Sequence, residues 1–139
     1  MLFRSDRQVI AELFNKFLTQ SDEVILQGEA TYSRDFIHVK DVAESIRLIL
    51  EKSDFNADAY NIANGEEVTL GDLASKIYQL TGEKTPYRFD DISSKGVPRQ
   101  WQADIQKLRS LGFSAQYHFL SGLEEVLQAS VVIKERVCK

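Results

Sequence analysis

The stretch Ser33-Arg-Asp-Phe-Ile-His-Val-Lys-Asp41 carries the most informative pattern in the sequence. Residues 32–38 are rich in aromatic and β-branched residues, which predicts a β-strand. The following Asp41-Val-Ala-Glu44 has the form of a capping box, which predicts that a helix begins with Asp41 as its N-cap. On a strand, Arg34 and Phe36 point to the same face, so a cation and an aromatic ring would lie side by side.

Periodic segments continue on both sides of this stretch. Helical spacing predicts that apolar side chains of the helix after Asp41 form one apolar stripe, which comprises Val42, Ala43, Ile46, Ile49 and Leu50. Further helices are predicted at residues 9–18, with Asp6 as a possible cap, and at 70–81, after Thr69. Two more are predicted between Asp104 and Gly112 and after a second capping box that begins at Ser121. Further strands are predicted at 24–26, 59–63 and 86–89. Helices and strands alternate without a strict βαβ order, so the predicted fold class is mixed α/β (α+β), a single small domain over residues 1–139.

The composition is that of an ordinary globular domain. The chain has 139 residues, of which 43% are hydrophobic and 27% charged, and its formal net charge is −4. An acidic chain without a long apolar run is not expected to bind nucleic acid or a membrane. The single cysteine, Cys138, excludes an internal disulfide and favours a reducing, cytoplasmic location.

Several kinds of site are excluded by counting. No two of the seven glycines lie within five positions of each other, so the chain has neither a dinucleotide-binding fingerprint nor a P-loop. The two histidines, His38 and His118, cannot form an ordinary zinc site with one cysteine, and we predict that both are structural. No metal site is therefore expected.

Two segments could carry ligand chemistry. Arg34 beside Phe36 suits a nucleotide diphosphate, because a guanidinium binds phosphate oxygens and a ring offers a flat surface. The alternative is a salt bridge of Arg34 next to a core phenylalanine. The second segment, within a loop predicted at 91–99 and running to Trp101, combines Lys95 and Arg99 with the only tryptophan. The alternative role for this second segment is a solvated turn, with Trp101 filling the core.

The pattern as a whole resembles the NAD-dependent epimerase/dehydratase family, the extended short-chain dehydrogenases that modify nucleotide sugars. The stretch from Arg34 to Asp41 is similar to the family segment R-D-[FY]-[IV]-[HY]-V-x-D. Four further segments resemble family motifs in the same order: Tyr60-Asn-Ile-Ala-Asn-Gly65, Val68-Thr-Leu-Gly-Asp-Leu73, the segment from Ala103 to Phe113, and Phe119-Leu-Ser-Gly-Leu-Glu-Glu125. The resemblance extends from about residue 8 to residue 132.

This resemblance implies the C-terminal, substrate-binding half of such an enzyme without its Rossmann half. In the family, the Rossmann half holds NAD or NADP on a glycine fingerprint and usually carries a Tyr-x-x-x-Lys pair. None of the five tyrosines here is followed four positions later by lysine. We therefore expect no bound cofactor and no catalytic residue in this chain. The expected partners are a nucleotide-diphosphate sugar and either the missing Rossmann half or a second copy on the exposed face.

The resemblance also implies roles for individual residues. Arg34 matches the arginine that contacts the diphosphate, and Phe36 matches a position at the edge of that pocket. Leu70 matches an apolar position near the base, with helix core as the equal alternative. The segment Lys95-Gly-Val-Pro-Arg-Gln100 departs from the R-x-G-D of many epimerases and is closer to the G-x-P-R-[KR] of GDP-sugar reductase-epimerases. Arg99 is thus the stronger phosphate candidate and Lys95 the weaker one, and the base stays undetermined.

The predicted function is the substrate-binding portion of an NAD(P)-dependent nucleotide-sugar epimerase, dehydratase or reductase. Two alternatives remain at this point: a non-catalytic interaction module, or an inert truncated remnant.

Overall fold

The computed structural model describes residues 9–92 and 96–137, with side chains to residue 128. Five helices and four strands are found in these ranges: α1 Val9–Thr19, β1 Val24–Leu26, β2 Ser33–Asp35, α2 Val39–Lys52, β3 Glu67–Thr69, α3 Leu70–Thr81, β4 Tyr87–Phe89, α4 Gln106–Ser110 and α5 Phe119–Val137. The mixed α/β fold class is confirmed. Asp6, Lys95 and Cys138 lie outside the described residues.

Two small sheets organise the chain. β1 pairs in parallel with β4, and β2 pairs antiparallel with β3, so that Arg34 lies opposite Val68. The main core packs α1, α3 and the start of α5 around β1, with Phe14, Phe17, Leu73 and Ile77 buried at its centre. A second, smaller core joins α2 to α4.

The helix α3 forms as its sequence predicts. The side chain of Thr69 accepts a hydrogen bond from the backbone N–H of Asp72, and Gly82 ends the helix in the left-handed conformation. Leu73, Ala74 and Ile77 are buried on one face. The N-cap, the final glycine and the apolar face that the sequence predicts for α3 are therefore all found in the structure.

The start of α2 differs from the prediction. His38, not Asp41, is the N-cap, because its Nδ1 accepts from the backbone N–H of Lys40. The structural role predicted for His38 is confirmed, and Asp41 as a cap is wrong. The buried Asp41 carboxylate instead accepts from the backbone N–H groups of Gln116 and Tyr117 at 3.0 and 3.2 Å. Asp41 thus ties α2 to the segment before α5.

The two predictions around α2 have different outcomes. The predicted apolar stripe lies on α2, but Ala43, Ile46 and Leu50 of this stripe are exposed in the described part of the chain. The predicted strand at residues 59–63 does not form, because no described segment pairs with it. A local pattern identifies apolar or strand-like residues without indicating which segment covers them or pairs with them.

Smaller differences concern element boundaries. β2 is shorter than the predicted 32–38 because β3, its only described partner strand, is three residues long. α5 begins at Phe119, and the hydroxyl of Ser121 donates to the carbonyl of His118 instead of capping a helix. Ahead of α4, the Asp104 carboxylate accepts from the N–H of Gln106, although Ile105 holds the cap position.

Among the described helices, none is both long and apolar enough to cross a membrane.

Candidate functional site

A cavity of ≈ 470 Å³ opens beside the end of β2 and contains two of the predicted site residues. We call it the Arg34 cavity. Its lining residues come from α1, β2, the segment at 59–63 and the segment after residue 100: Val9, Arg34, Asp35, Phe36, Asn61, Ile62, Ala63, Trp101 and Ala103. Arg34 and Phe36 therefore share one cavity, although Phe36 lies just beyond the end of β2 and the intervening Asp35 lines the same cavity.

Arg34 is fixed by backbone acceptors. Its Nη1 donates to the carbonyl of Ser33 at 2.6 Å and to that of Pro98 at 3.0 Å. Its guanidinium carbon lies 5.9 Å from the ring centre of Trp101, within the range of a cation–π contact. None of the ion pairs found among the described residues involves Arg34. The salt-bridge alternative is therefore wrong for this part of the chain, and the positive charge of Arg34 has no matching carboxylate there.

Trp101 forms an outer wall of the Arg34 cavity. Its side chain is 57% exposed, so the alternative in which it fills the core is wrong. The neighbouring Gln102 side chain donates to the carbonyl of Gly65 at 2.7 Å and fastens this segment to the turn after residue 63. A large, exposed ring beside an arginine offers a stacking surface to a planar or sugar ligand.

Asp35 organises the floor of the cavity, and the sequence does not reveal this role. Its carboxylate accepts from the backbone N–H groups of Asn64, Gly65 and Ala103 at 2.9, 3.0 and 3.3 Å. It thereby connects β2 to two segments that are about 30 and 68 positions away. No spacing rule links residues so distant, so only the tertiary structure could identify this contact.

Leu70 lies in a second, smaller cavity of ≈ 180 Å³, which we call the Leu70 cavity. Its walls include Leu26, Gln27 and Phe89, and Val9 lines both this cavity and the Arg34 cavity. Leu70 also packs against the main core. Its side chain thus has a core contact and also lines a cavity, which shares the lining residue Val9 with the Arg34 cavity.

Phe36 and Arg99 are placed differently from Arg34. The ring of Phe36 lines the Arg34 cavity but also stacks on Phe119, with ring centres 5.7 Å apart. The Arg99 side chain is 72% exposed, and its nearest carboxylate is that of Glu29 at 3.8 Å. Its backbone carbonyl accepts from the N–H of Ser33, so the segment after residue 96 runs alongside β2. Arg99 is not among the residues that line the Arg34 cavity, and the role of Lys95 stays a prediction.

Asp90 follows Phe89, a lining residue of the Leu70 cavity, at the end of β4. Hydrogen bonds from the backbone N–H groups of Ile92 and Gly28 hold the pKa of this carboxyl below its ordinary value of 3.8. The bond from Gly28 joins the end of β4 to the turn after β1. Asp90 therefore keeps in place two segments that carry the cavity residues Gln27 and Phe89.

The glycines of the described residues do not form the cradle that holds a dinucleotide pyrophosphate. A pyrophosphate cradle needs closely spaced glycines at the start of a helix, whereas Gly28, Gly65, Gly82, Gly96 and Gly112 adopt positive φ at five separate turns. Gly71, in the first turn of α3, has no room for phosphate, because the carbonyl of Ala30 lies 3.2 Å from where a Cβ would stand. No cluster of three potential metal-binding side chains occurs in the described ranges.

Comparisons with known proteins identify the fold. The structure superposes on an epimerase of Methanothermobacter thermautotrophicus with a TM-score of 0.82 and 21% identity, over 94% of this chain and 39% of that one. It also superposes on MoeE5, solved with UDP-glucose and NAD, with a TM-score of 0.75 and 27% identity, over 88% of this chain and 41% of MoeE5. The fold is thus that of part of an epimerase of the short-chain dehydrogenase type.

The sequence comparisons lead to the same class. The model of the NAD dependent epimerase/dehydratase family matches residues 3–63. The putative GDP-L-fucose synthase 2 of Arabidopsis thaliana is 30% identical over 109 residues, which are 78% of this chain and 32% of that protein. The chain is therefore a relative of the NAD-dependent epimerase/dehydratase family, and it spans about a third of the length of that curated relative.

Proposed function

We propose that this chain is the substrate-binding portion of an NAD(P)-dependent nucleotide-sugar epimerase, dehydratase or reductase. In this proposal, Arg34 binds the diphosphate, the ring of Trp101 borders it, and the Leu70 cavity receives the base. The proposal includes a reducing, cytoplasmic location, which rests on the single cysteine. NAD or NADP would bind outside the described residues, and catalysis would require that second part.

The observation that carries the proposal is the set of contacts around the Arg34 guanidinium. Two backbone carbonyls fix its position through Nη1 alone, and no described carboxylate neutralises it. A fixed, uncompensated guanidinium at the wall of a cavity is suited to an anionic ligand, because its remaining N–H groups can donate to phosphate oxygens. The cavity of ≈ 470 Å³ is within the range of about 300–1,000 Å³ that small-molecule sites occupy.

The Leu70 cavity is the place that this proposal gives to the base. Five of its eight lining residues are apolar, the other three are Glu12, Lys16 and Gln27, and its volume is ≈ 180 Å³. Val9 lines both this cavity and the Arg34 cavity, so in this proposal a ligand that carries a base next to a diphosphate spans Val9 and occupies both. MoeE5, which superposes on this chain, was solved with a ligand of that type, UDP-glucose.

The test is calorimetric titration of the protein with UDP-glucose and, separately, with GDP-L-fucose. We expect saturable binding of at least one of them, weakened at least tenfold in Arg34→Gln. The matched control is Arg88→Gln, because Arg88 is an exposed arginine on β4 that pairs with Glu23, away from both cavities. If neither ligand binds, or if both variants bind like the unmodified protein, the proposal fails and an interaction module or a remnant is favoured.

A further inference from the structure

The wall of the Leu70 cavity contains a carboxylate and an ammonium group. Glu12 and Lys16 of α1 both line the cavity. They are four positions apart, so their side chains lie next to each other on the same face of the helix. These two charges give the cavity hydrogen-bonding groups in a wall that is otherwise mainly apolar.

The ammonium group of Lys16 is held in place by two acceptors. Its Nζ lies 3.1 Å from Oε1 of Glu12 and donates to the backbone carbonyl of Ile25 at 3.2 Å. The Lys16 side chain is only 20% exposed, so α1 and β1 together fix its position. An ammonium group carries three N–H groups. The two contacts therefore leave one N–H of Lys16 for a ligand.

The carboxylate of Glu12 has acceptor capacity that its contact with Lys16 does not use. Oε1 faces the ammonium group, and Oε2 receives no hydrogen bond from the described part of the chain. The Glu12 side chain is 45% exposed, so a ligand in the cavity can reach both oxygens. The wall therefore presents three groups in a fixed order: an N–H donor, the acceptor Oε1 and the acceptor Oε2.

This order of groups is complementary to the edge of guanine. Guanine presents one acceptor, O6, followed by two donors, N1–H and the N2 amino group. A carboxylate accepts two parallel N–H bonds, and such charge-assisted pairs are among the strong hydrogen bonds. Uracil and thymine present an acceptor, an N–H and a second acceptor, so their O2 would face a carboxylate oxygen. Adenine presents an amino group and then an acceptor, which would place a donor against Lys16 and an acceptor against Glu12. The same carboxylate that binds guanine therefore rejects the other bases.

We propose that Glu12 and Lys16 make the Leu70 cavity selective for guanine, so that the ligand of this chain is a guanosine-diphosphate sugar. Lys16 would donate to O6, and the Glu12 carboxylate would accept from N1–H and from the N2 amino group. Apolar lining residues, among them Leu70 and Phe89, would contact the ring. This inference rests on the proposed function, because the cavity receives a base only if Arg34 binds the diphosphate. Glu12 and Lys16 are thus specificity-determining residues of that same site.

The experiment is calorimetric titration of the protein with GDP, IDP and UDP, which share the ribose and the diphosphate and differ only in the base. We expect GDP to bind at least tenfold more tightly than UDP, because a site built to hydrogen-bond a ligand discriminates against an analogue that leaves its groups unpaired. The base of IDP keeps O6 and N1–H but lacks the N2 amino group. The affinity for IDP should therefore lie between the other two.

A matched pair of variants tests the carboxylate itself. In Glu12→Gln the amide keeps one acceptor and replaces the other with a donor, so GDP should bind at least tenfold more weakly. UDP should bind at least as tightly as before, because its O2 then meets an N–H group. The control is Glu51→Gln, since Glu51 also forms an ion pair across one helical turn, with Arg47 of α2, and has a similar exposure of 53%. It should leave all three affinities unchanged, and circular dichroism of each variant shows whether it is folded.

Failure of this inference can be distinguished from failure of the proposed function. Equal affinities for GDP and UDP, both weakened by Arg34→Gln, would overturn the guanine assignment and leave the proposed function in place. The assignment is also overturned if IDP binds as tightly as GDP, or if Glu12→Gln and Glu51→Gln act alike. If none of the three diphosphates binds, the guanine assignment and the proposed function both fail.

Discussion

The Oδ2 atom of Asp35 accepts a hydrogen bond from the backbone N–H of Gly65 at 3.0 Å. The two residues belong to different segments, and the bond holds the turn after residue 63 against the end of β2. Asn64 and Ala103 donate to the same carboxylate. One side chain therefore fixes three sides of the Arg34 cavity, which makes Asp35 a positioning residue for the candidate site.

Asp35→Asn should destabilise the protein by about 2 kcal/mol. The amide of asparagine would replace a charged acceptor, and its NH₂ group would face backbone N–H groups that now donate to the carboxylate. The measurement is the urea midpoint of unfolding. Asp22→Asn is the control, since Asp22 is an exposed carboxylate in the turn before β1. Equal losses in the two variants would show that the three hydrogen bonds of Asp35 contribute no specific stability.

Gly65→Ala should destabilise the protein more than Gly82→Ala. Both glycines have positive φ, 77° and 67°, so alanine costs about 1 kcal/mol of backbone strain at either position. At Gly65 a Cβ would also stand 2.6 Å from Cδ1 of Ile105, whereas nothing lies within 4 Å at Gly82. The collision should add about 1–3 kcal/mol. Chemical denaturation of both variants measures the difference, and similar midpoints would contradict the close approach.

The sequence predicted those elements whose signals are local. α1, β1 and α3 lie where periodicity and caps place them, because Thr69 and Gly82 act on their own helix ends. Arg34 and Phe36 do line one cavity, but strand alternation does not account for it, because Phe36 lies beyond β2 and Asp35 lines the same cavity. The family resemblance, carried by five motifs in order, is confirmed by the comparisons.

Features that depend on distant contacts could not be predicted from the sequence. Asp41 has the position of an N-cap, but its carboxylate binds backbone groups 75 and 76 positions away. Periodicity identifies an apolar helix face without indicating what covers it, and Ile46 and Leu50 of the α2 stripe are exposed in the described part of the chain. One acceptor of Arg34 is the carbonyl of Pro98, which is 64 positions away. The residues next to Arg34 in the sequence therefore do not show whether its side chain forms a surface salt bridge or is held beside a cavity.

The stability of the protein should depend on pH through Asp90. Backbone N–H donors lower the pKa of this carboxyl below 3.8 in the folded state. A carboxyl with a lowered folded pKa stabilises the protein above its unfolded pKa, and this contribution disappears as the pH falls through the folded value. We therefore expect Asp90→Asn to be less stable than the unmodified protein at neutral pH, with a difference that shrinks below about pH 4.

Urea midpoints at several acidic pH values would measure this difference. Asp22→Asn again provides a control for the loss of one carboxylate at an exposed position. A constant difference between Asp90→Asn and the unmodified protein from neutral to strongly acidic pH would contradict the prediction, because the hydrogen-bonded charge would then not be its cause.

Trp101 should report directly on the Arg34 cavity. It is the only tryptophan in the chain, its ring is 57% exposed, and the Arg34 guanidinium lies over it. A nucleotide sugar that binds Arg34 would remove water from the ring, so tryptophan emission should change in proportion to occupancy. Titration with UDP-glucose or GDP-L-fucose should give a saturating curve, and Arg34→Gln should move its midpoint at least tenfold higher while Arg88→Gln leaves it unchanged. Glucose alone, which lacks the diphosphate, should leave the emission constant. If calorimetry detects binding while the tryptophan emission does not change, the ligand occupies a different part of the protein and the assignment to the Arg34 cavity is wrong.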